Sequence, residues 1–183
     1  MKEEKRQLVH ILVSIVLILI LYFLGRTDSI AALFLILIVG AILINLRMRD
    51  KVIPILDSIE KHLERKNVRF PGYGSAWYMV GALLATTFLQ DISQIAAIIW
   101  ILGTGDGFST LVGKLGTHKL IYNPKKTVEG SIAFVIASLP AYFFIGLYIV
   151  PLSITCAIVE SLPIDVEDNI TIPIVAIVLL GIL

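Results

Sequence analysis

The sequence predicts an all-α membrane protein, a single integral membrane domain over residues 1–183 with about six or seven transmembrane or partial transmembrane helices. Three observations carry this expectation. Hydrophobic residues make up 57% of the chain, and charged residues only 16%. The mean hydropathy is +0.92, far above that of soluble domains. The charges are clustered, which leaves long apolar runs of the kind that cross hydrocarbon. A net charge of +1 gives no bulk signal for a nucleic-acid partner.

Taken in order, the first apolar run covers residues 8–24. It lacks a small-residue cleavage site and the hydrophobic pattern soon resumes, so it reads as a retained helix and not a signal peptide. The second run covers 30–46. Residues 47–72 mix charges, with Glu60 and Glu64, and Lys61 and Arg65, four apart, as on a solvated or interfacial helix. "RFPGYG" breaks that segment before the third run, 74–89. The fourth, 92–102, is short unless its flanks extend it. The fifth, 131–150, contains Pro140. The runs 152–162 and 172–183 are shorter than the roughly 17–25 residues of a tilted span. They read as half-spans, broken helices or a truncated end, tolerable at membrane depth only if packed in protein or lining a wet cavity.

Of the fifteen Lys and Arg residues, fourteen fall on one side of these runs and only Arg26 on the other. The positive-inside rule then places the N-terminus and the loops 47–72 and 103–130 in the cytoplasm. If the fifth and sixth runs both cross, the acidic loop 160–169 joins them on that face.

The stretch from Gly103 to Ser131 holds most of the chemistry. Gly103, Gly105 and Gly107 alternate around Thr104 and Asp106. Glycines let backbone approach a ligand closely, and successive N–H groups in such bends can cradle phosphate, as can those near Gly113 and Thr127. Asp106 is a hard oxygen ligand suited to Mg²⁺ carrying phosphates. Lys114, Lys119, Lys125 and Lys126 can neutralise a polyphosphate, and Glu129 adds a second carboxylate. Phosphoryl transfer needs mainly positioning and charge neutralisation, which these residue types supply. The stretch is neither a Walker A loop, because Lys114 precedes Leu115 and the glycine spacing is wrong, nor a dinucleotide fingerprint. By spacing alone it fits either a phosphate–metal site or a structural turn with topology-setting lysines. His62 and His118 lack metal-ligand spacing, so no transition metal is expected. Cys156 reads as a small packing residue.

The same stretch resembles the polyprenol kinase family, which includes dolichol kinase and phytol kinase and is distantly similar to CDP-diacylglycerol synthases. Gly105, Asp106 and Gly107 match the Gly-Asp-small opening of the family pattern. Gly113, Lys114, Leu115 and Gly116 resemble its Gly-Arg-x-x-Gly element, with Lys for Arg and one residue fewer. Lys126, Thr127, Val128, Glu129, Gly130 and Ser131 match its Lys-Ser/Thr-x-Glu-Gly-Ser close. Glu160 on a late helix, followed by Asp168 and Asn169, fits a further family segment, with Glu167 where Asp is commoner. Arg6 and His10, four apart and so on one helix face, resemble an N-terminal pair of the family.

The resemblance implies transfer of the γ-phosphate of a nucleoside triphosphate, typically CTP, to the hydroxyl of a long isoprenoid alcohol at the membrane interface. Asp106, with Glu129 and Glu160, is then expected to hold Mg²⁺ or another hard divalent cation. Lys126 and its neighbouring lysines would clamp phosphate. Asp168 would take the hydroxyl proton or hold a second metal, while Asp168 or Asn169 could instead cap the last helix. Two alternatives stay open: a cytidylyltransferase acting on a lipid phosphate, and a non-catalytic membrane transporter or structural protein.

Overall fold

The computed structural model describes residues 2–49, 53 and 68–182. The mixed-charge helix expected around Glu60, Lys61, Glu64 and Arg65 lies outside the described residues. Within them the protein is all-α except for one antiparallel bridge between Lys119 and Thr127. In chain order the elements are α1 (Lys2–Met48), α2 (Tyr73–Phe88), α3 (Ile92–Trp100), a π turn (Ile101–Gly105), α4 (Asp106–Gly113) and α5 (Val128–Ser138). A short α6 (Tyr142–Ile145) follows, flanked by the 3₁₀ turns Leu139–Ala141 and Gly146–Tyr148. Then come α7 (Ile149–Ser161) and α8 (Asp168–Ile182).

A continuous helix of 47 residues would be about 70 Å long, and α1 is not one. It breaks at Gly25 (φ 76°, ψ 175°), a conformation that side chains other than glycine rarely adopt. Val9 and Val13 from one half and Leu37, Ile44 and Met48 from the other line a common cavity, so the halves run back alongside each other. Arg26 follows the break. Its Nε donates to the carbonyls of Thr86 (2.9 Å) and Leu89 (2.7 Å), and its Nη2 to that of Thr87 (2.7 Å). Those carbonyls end α2 and have no helical partner of their own, which is where a cation is favoured. Replacing Arg26 with Ala is therefore expected to cost about 2 kcal/mol. The midpoint of heat inactivation in detergent should fall, with part of the loss recovered by Arg26→Lys.

The core is built on α3 and the π turn, where Ile95, Ala96, Ala97, Ile98, Ile99, Ile101 and Leu102 are all buried. α1 packs on α2, α3, the π turn and α4; α5 packs on α4 and α7; α8 packs on α2 and α7. Large apolar side chains such as Phe23, Phe34, Phe143 and Leu147 point outward, as expected of a surface facing lipid.

Among the described residues, three helical runs are long and apolar enough to cross a membrane: Glu3–Met48, Ile92–Gly113 and Val128–Ser161. This is fewer than the six or seven expected, because adjoining apolar runs merge. The runs 8–24 and 30–46 form one helical stretch folded at Gly25. The runs 131–150 and 152–162 join into Val128–Ser161, interrupted only near Pro140 and at Gly146 (φ 60°). The last, Asp168–Gly181, is shorter. The expected loop 103–130 also starts too early. The fourth run continues as helix through Gly113, 22 residues in all, because the π turn absorbs the glycines.

Candidate active site

A π turn inserts one residue into a helix and rotates everything after it by about 100°. Asp106, which opens α4, follows this turn directly. Its carboxylate meets those of Glu160, in the last turn of α7, and Asp168, the first residue of α8, with one oxygen from each within 4.8 Å of the others. α7 stops just after Glu160 because Leu162 precedes Pro163 and is held extended (φ −69°, ψ 148°), away from the helical region. Glu160 is 2% exposed. Its Oε1 accepts hydrogen bonds from Lys126 Nζ at 2.5 Å and Ser109 Oγ at 2.9 Å. Lys126 Nζ also donates to Asp168 Oδ2 at 2.9 Å.

The segment between α4 and α5 delivers that lysine. It turns back on itself, with Leu120 N donating to Lys126 O (3.1 Å) and Val128 N to His118 O (2.9 Å). Its tip is pinned to the end of α7: Asn123 Nδ2 donates to Ser161 O at 2.9 Å, and the Tyr122 and Ser161 hydroxyls lie 2.8 Å apart. Thr127 caps α5 by accepting from Gly130 N (3.1 Å), as N-cap threonines do, and it donates to Gly113 O (3.3 Å). Burial acts to lower the pKa of Lys126, but the Glu160 and Asp168 carboxylates outweigh it and hold the ammonium above the ordinary lysine value.

These groups face a cavity of about 510 Å³. Of the residues expected from sequence, it is lined by Asp106, Glu160, Asp168, Asn169, Lys126, Lys114, Lys119, Lys125, Gly113 and Thr127, with Arg6 and His10 on the α1 side. Arg6 is ion-paired with Glu3, and Lys114 lies 3.5 Å from the same carboxylate. The His10 ring sits 5.0 Å from that of Tyr78.

Gly105, Gly107 and Glu129 are not part of this lining. Gly105 is a packing residue: a Cβ there would come within 2.7 Å of Ser138 Oγ and 3.0 Å of Phe134. Gly107 faces Ile11 and Gln7. Neither lies in a phosphate-cradling loop, because this segment is helical. Glu129 is likewise not brought to the carboxylate cluster. Its carboxylate takes hydrogen bonds from Thr117 N (3.0 Å) and His118 N (3.1 Å) and lies 2.7 Å from His118 Nδ1. It anchors the turn that leads into the lysine segment. Gly105→Ala is accordingly expected to cost about 1–3 kcal/mol through overpacking while leaving nucleotide affinity unchanged; thermal unfolding and nucleotide titration check the two halves of that statement.

Two cavity residues carried no signal in the sequence. Ser109 lies one helical turn after Asp106 and ties Glu160 in place, a relation visible only once α4 is known to be a helix. Gln7 is 1% exposed and shares the α1 face of Glu3, Arg6 and His10. Its Oε1 has no hydrogen-bond partner among the described residues, and neither does Asn169 Oδ1. Buried oxygens in that state are costly. The three carboxylates, in a cavity that Gln7 and Asn169 also line, offer oxygen donors, the chemistry that suits Mg²⁺ rather than a softer metal. Lys126 offsets only part of the negative charge, so the residues present fit a divalent cation.

Comparison with known proteins gives a consistent assignment. The chain is 31% identical over 176 residues to an uncharacterized protein of Methanocaldococcus jannaschii, covering 94% of this chain and 90% of that one. It is 38% identical over 122 residues to a probable chloroplastic phytol kinase 2 of Oryza sativa subsp. japonica, covering 55% of this chain and 40% of that one. With the chloroplastic farnesol kinase of Arabidopsis thaliana it shares 34% identity over 137 residues, covering 64% and 44%. The chain thus spans somewhat under half the length of these two plant kinases. No family model and no solved structure gives a significant match. These phytol and farnesol kinase relatives, at 30–38% identity, support a polyprenol kinase-like family for this chain, and most of the motif residues face one cavity.

Proposed function

We propose that this protein is a membrane lipid kinase. It transfers the γ-phosphate of a nucleoside triphosphate, CTP in our reading, to the hydroxyl of an isoprenoid alcohol such as farnesol, geranylgeraniol or phytol. The observation that carries this reading is the meeting of Asp106, Glu160 and Asp168 within 4.8 Å in a cavity walled by Lys114, Lys119, Lys125 and Lys126. Carboxylates that hold a divalent cation, next to cations that hold phosphate, are the two parts phosphoryl transfer requires.

A divalent cation held by Asp106, Glu160 and Asp168 would neutralise charge on the triphosphate. The remaining roles belong to the chain itself. Lys114, Lys119 and Lys125 draw the phosphates into the cavity, and Lys126 fixes Glu160 and Asp168 relative to each other. Asp168, the more exposed of the two carboxylates on Lys126 (34% against 2%), receives the proton of the attacking hydroxyl. The alcohol oxygen forms a bond to the γ-phosphorus as the bond to the β–γ bridging oxygen breaks, and nucleoside diphosphate leaves. Glu129 keeps the turn at Thr117 and His118 in register so that the lysines face inward. The excess of Lys and Arg on this side supports a cytoplasmic entrance for the nucleotide.

The test is a transfer assay with the purified protein and Mg²⁺, crossing CTP, ATP, GTP and UTP with farnesol, geranylgeraniol, phytol and longer polyprenols. One donor should give the highest kcat/KM with every accepted alcohol, and nucleoside diphosphate should form in step with lipid phosphate. Release of pyrophosphate with a lipid phosphate acceptor would instead identify a cytidylyltransferase. Absence of nucleotide binding would return the protein to the non-catalytic class.

A further inference from the structure

A second and larger cavity, about 1000 Å³, lies beside the first. The two share Arg6, His10, Gly74 and Glu167. Away from that shared rim the larger cavity runs along α1. Val13, which lines it, is seven residues beyond Arg6 and so about 10 Å further along the helix. Leu37, Ile44 and Met79 line it as well. Gly40 and Gly74 also line it, and among the described residues a Cβ on either would meet nothing within 4 Å. Arg6, His10 and Glu167 therefore stand where the two cavities meet, and Val13, Leu37, Ile44 and Met79 give the larger one an apolar wall.

We infer that this cleft holds the hydrocarbon chain of the acceptor alcohol and, through its open length at Gly40, selects among chain lengths. The inference rests on the kinase reading and adds to it a place for the substrate. The hydroxyl lies at the shared rim, within reach of Asp106 and Asp168, and the chain runs along α1 toward Val13 and Leu37. A cleft with an apolar wall that opens at charged groups onto the carboxylate cavity suits a ligand with an apolar chain and a polar terminus.

Gly40→Leu tests this, because it places a side chain into open space at a mid-helix position where leucine is the better helix former. The variant should keep the wild-type unfolding midpoint and nucleotide KM. Its KM for geranylgeraniol and phytol should rise roughly tenfold or more, the scale of added methylenes in an apolar pocket. Farnesol, being shorter, should be affected less. In parallel, a diazirine-bearing farnesol is cross-linked to the wild-type protein in nanodiscs and mapped by mass spectrometry. Labels competed by unlabelled geranylgeraniol are expected within 36–48 and 73–79. Labels confined to outward residues such as Phe23 and Phe143, or a Gly40→Leu variant unchanged toward every alcohol, would overturn the assignment. Competed labelling in the cleft without phosphate transfer to any alcohol would support the cleft and sink the kinase reading. Transfer with labelling elsewhere would do the reverse.

Discussion

Lys126→Met is expected to lower phosphoryl transfer by roughly 10²-fold, because Glu160 and Asp168 lose the group that fixes them relative to each other. It is also expected to destabilise the protein in the absence of divalent cations. Lys126 is the ammonium in contact with Glu160 and Asp168, and Glu160 has almost no access to water. Removing one partner of such a pair leaves a buried charge uncompensated, at about 3 kcal/mol. Mg²⁺ should therefore rescue the unfolding midpoint of Lys126→Met more than it raises that of the wild type, because a cation among the carboxylates takes over part of the missing charge. Activity should not return with it. A lysine that served only membrane topology would leave both the midpoint and the Mg²⁺ response unchanged.

Asp106→Asn is expected to lower transfer by on the order of 10³-fold, the several kcal/mol that a bound cation supplies. Its effect on stability should have the opposite sign. Three carboxylates within 4.8 Å repel one another when no cation is bound, so the amide should match or exceed the wild-type midpoint in chelator. The wild type should then gain on addition of Mg²⁺, and the variant should gain much less. Equal Mg²⁺ stabilisation of both proteins would remove Asp106 from the proposed metal centre.

The all-α architecture and its apolar spans were legible because long uncharged runs have few physical alternatives. The number of spans was not. Whether two apolar runs are separate or one folded helix depends on backbone at single residues, such as Gly25 (φ 76°), and hydropathy does not register these. The meeting of Asp106, Lys126, Glu160 and Asp168 could be anticipated, because each residue sits in a dense polar motif flanked by apolar sequence. The glycines of "GTGDG" misled for a specific reason. Alternating glycines normally signal a loop, yet here their small size admits Ser138 and Phe134 against a π turn, and close helix packing of this kind is common in membrane proteins. Glu129 read as a metal ligand because a carboxylate near a membrane edge demands a partner. The partners are Thr117 and His118, twelve and eleven residues back, at a spacing no helical rule flags. Gln7 was invisible, since one uncharged polar residue at the start of an apolar helix carries no pattern.

The most direct measurement follows the label from CTP carrying a radioactive phosphorus at either the α or the γ position. Purified wild type, Asp106→Asn and Asp168→Asn would be incubated with Mg²⁺ and geranylgeraniol, and the lipid extracted. Lipid labelled from the γ position only, by the wild type and not by the folded variants, is the result expected of a kinase whose active site is this carboxylate cluster. Label arriving from the α position, or equal γ-transfer by the folded variants, would contradict it.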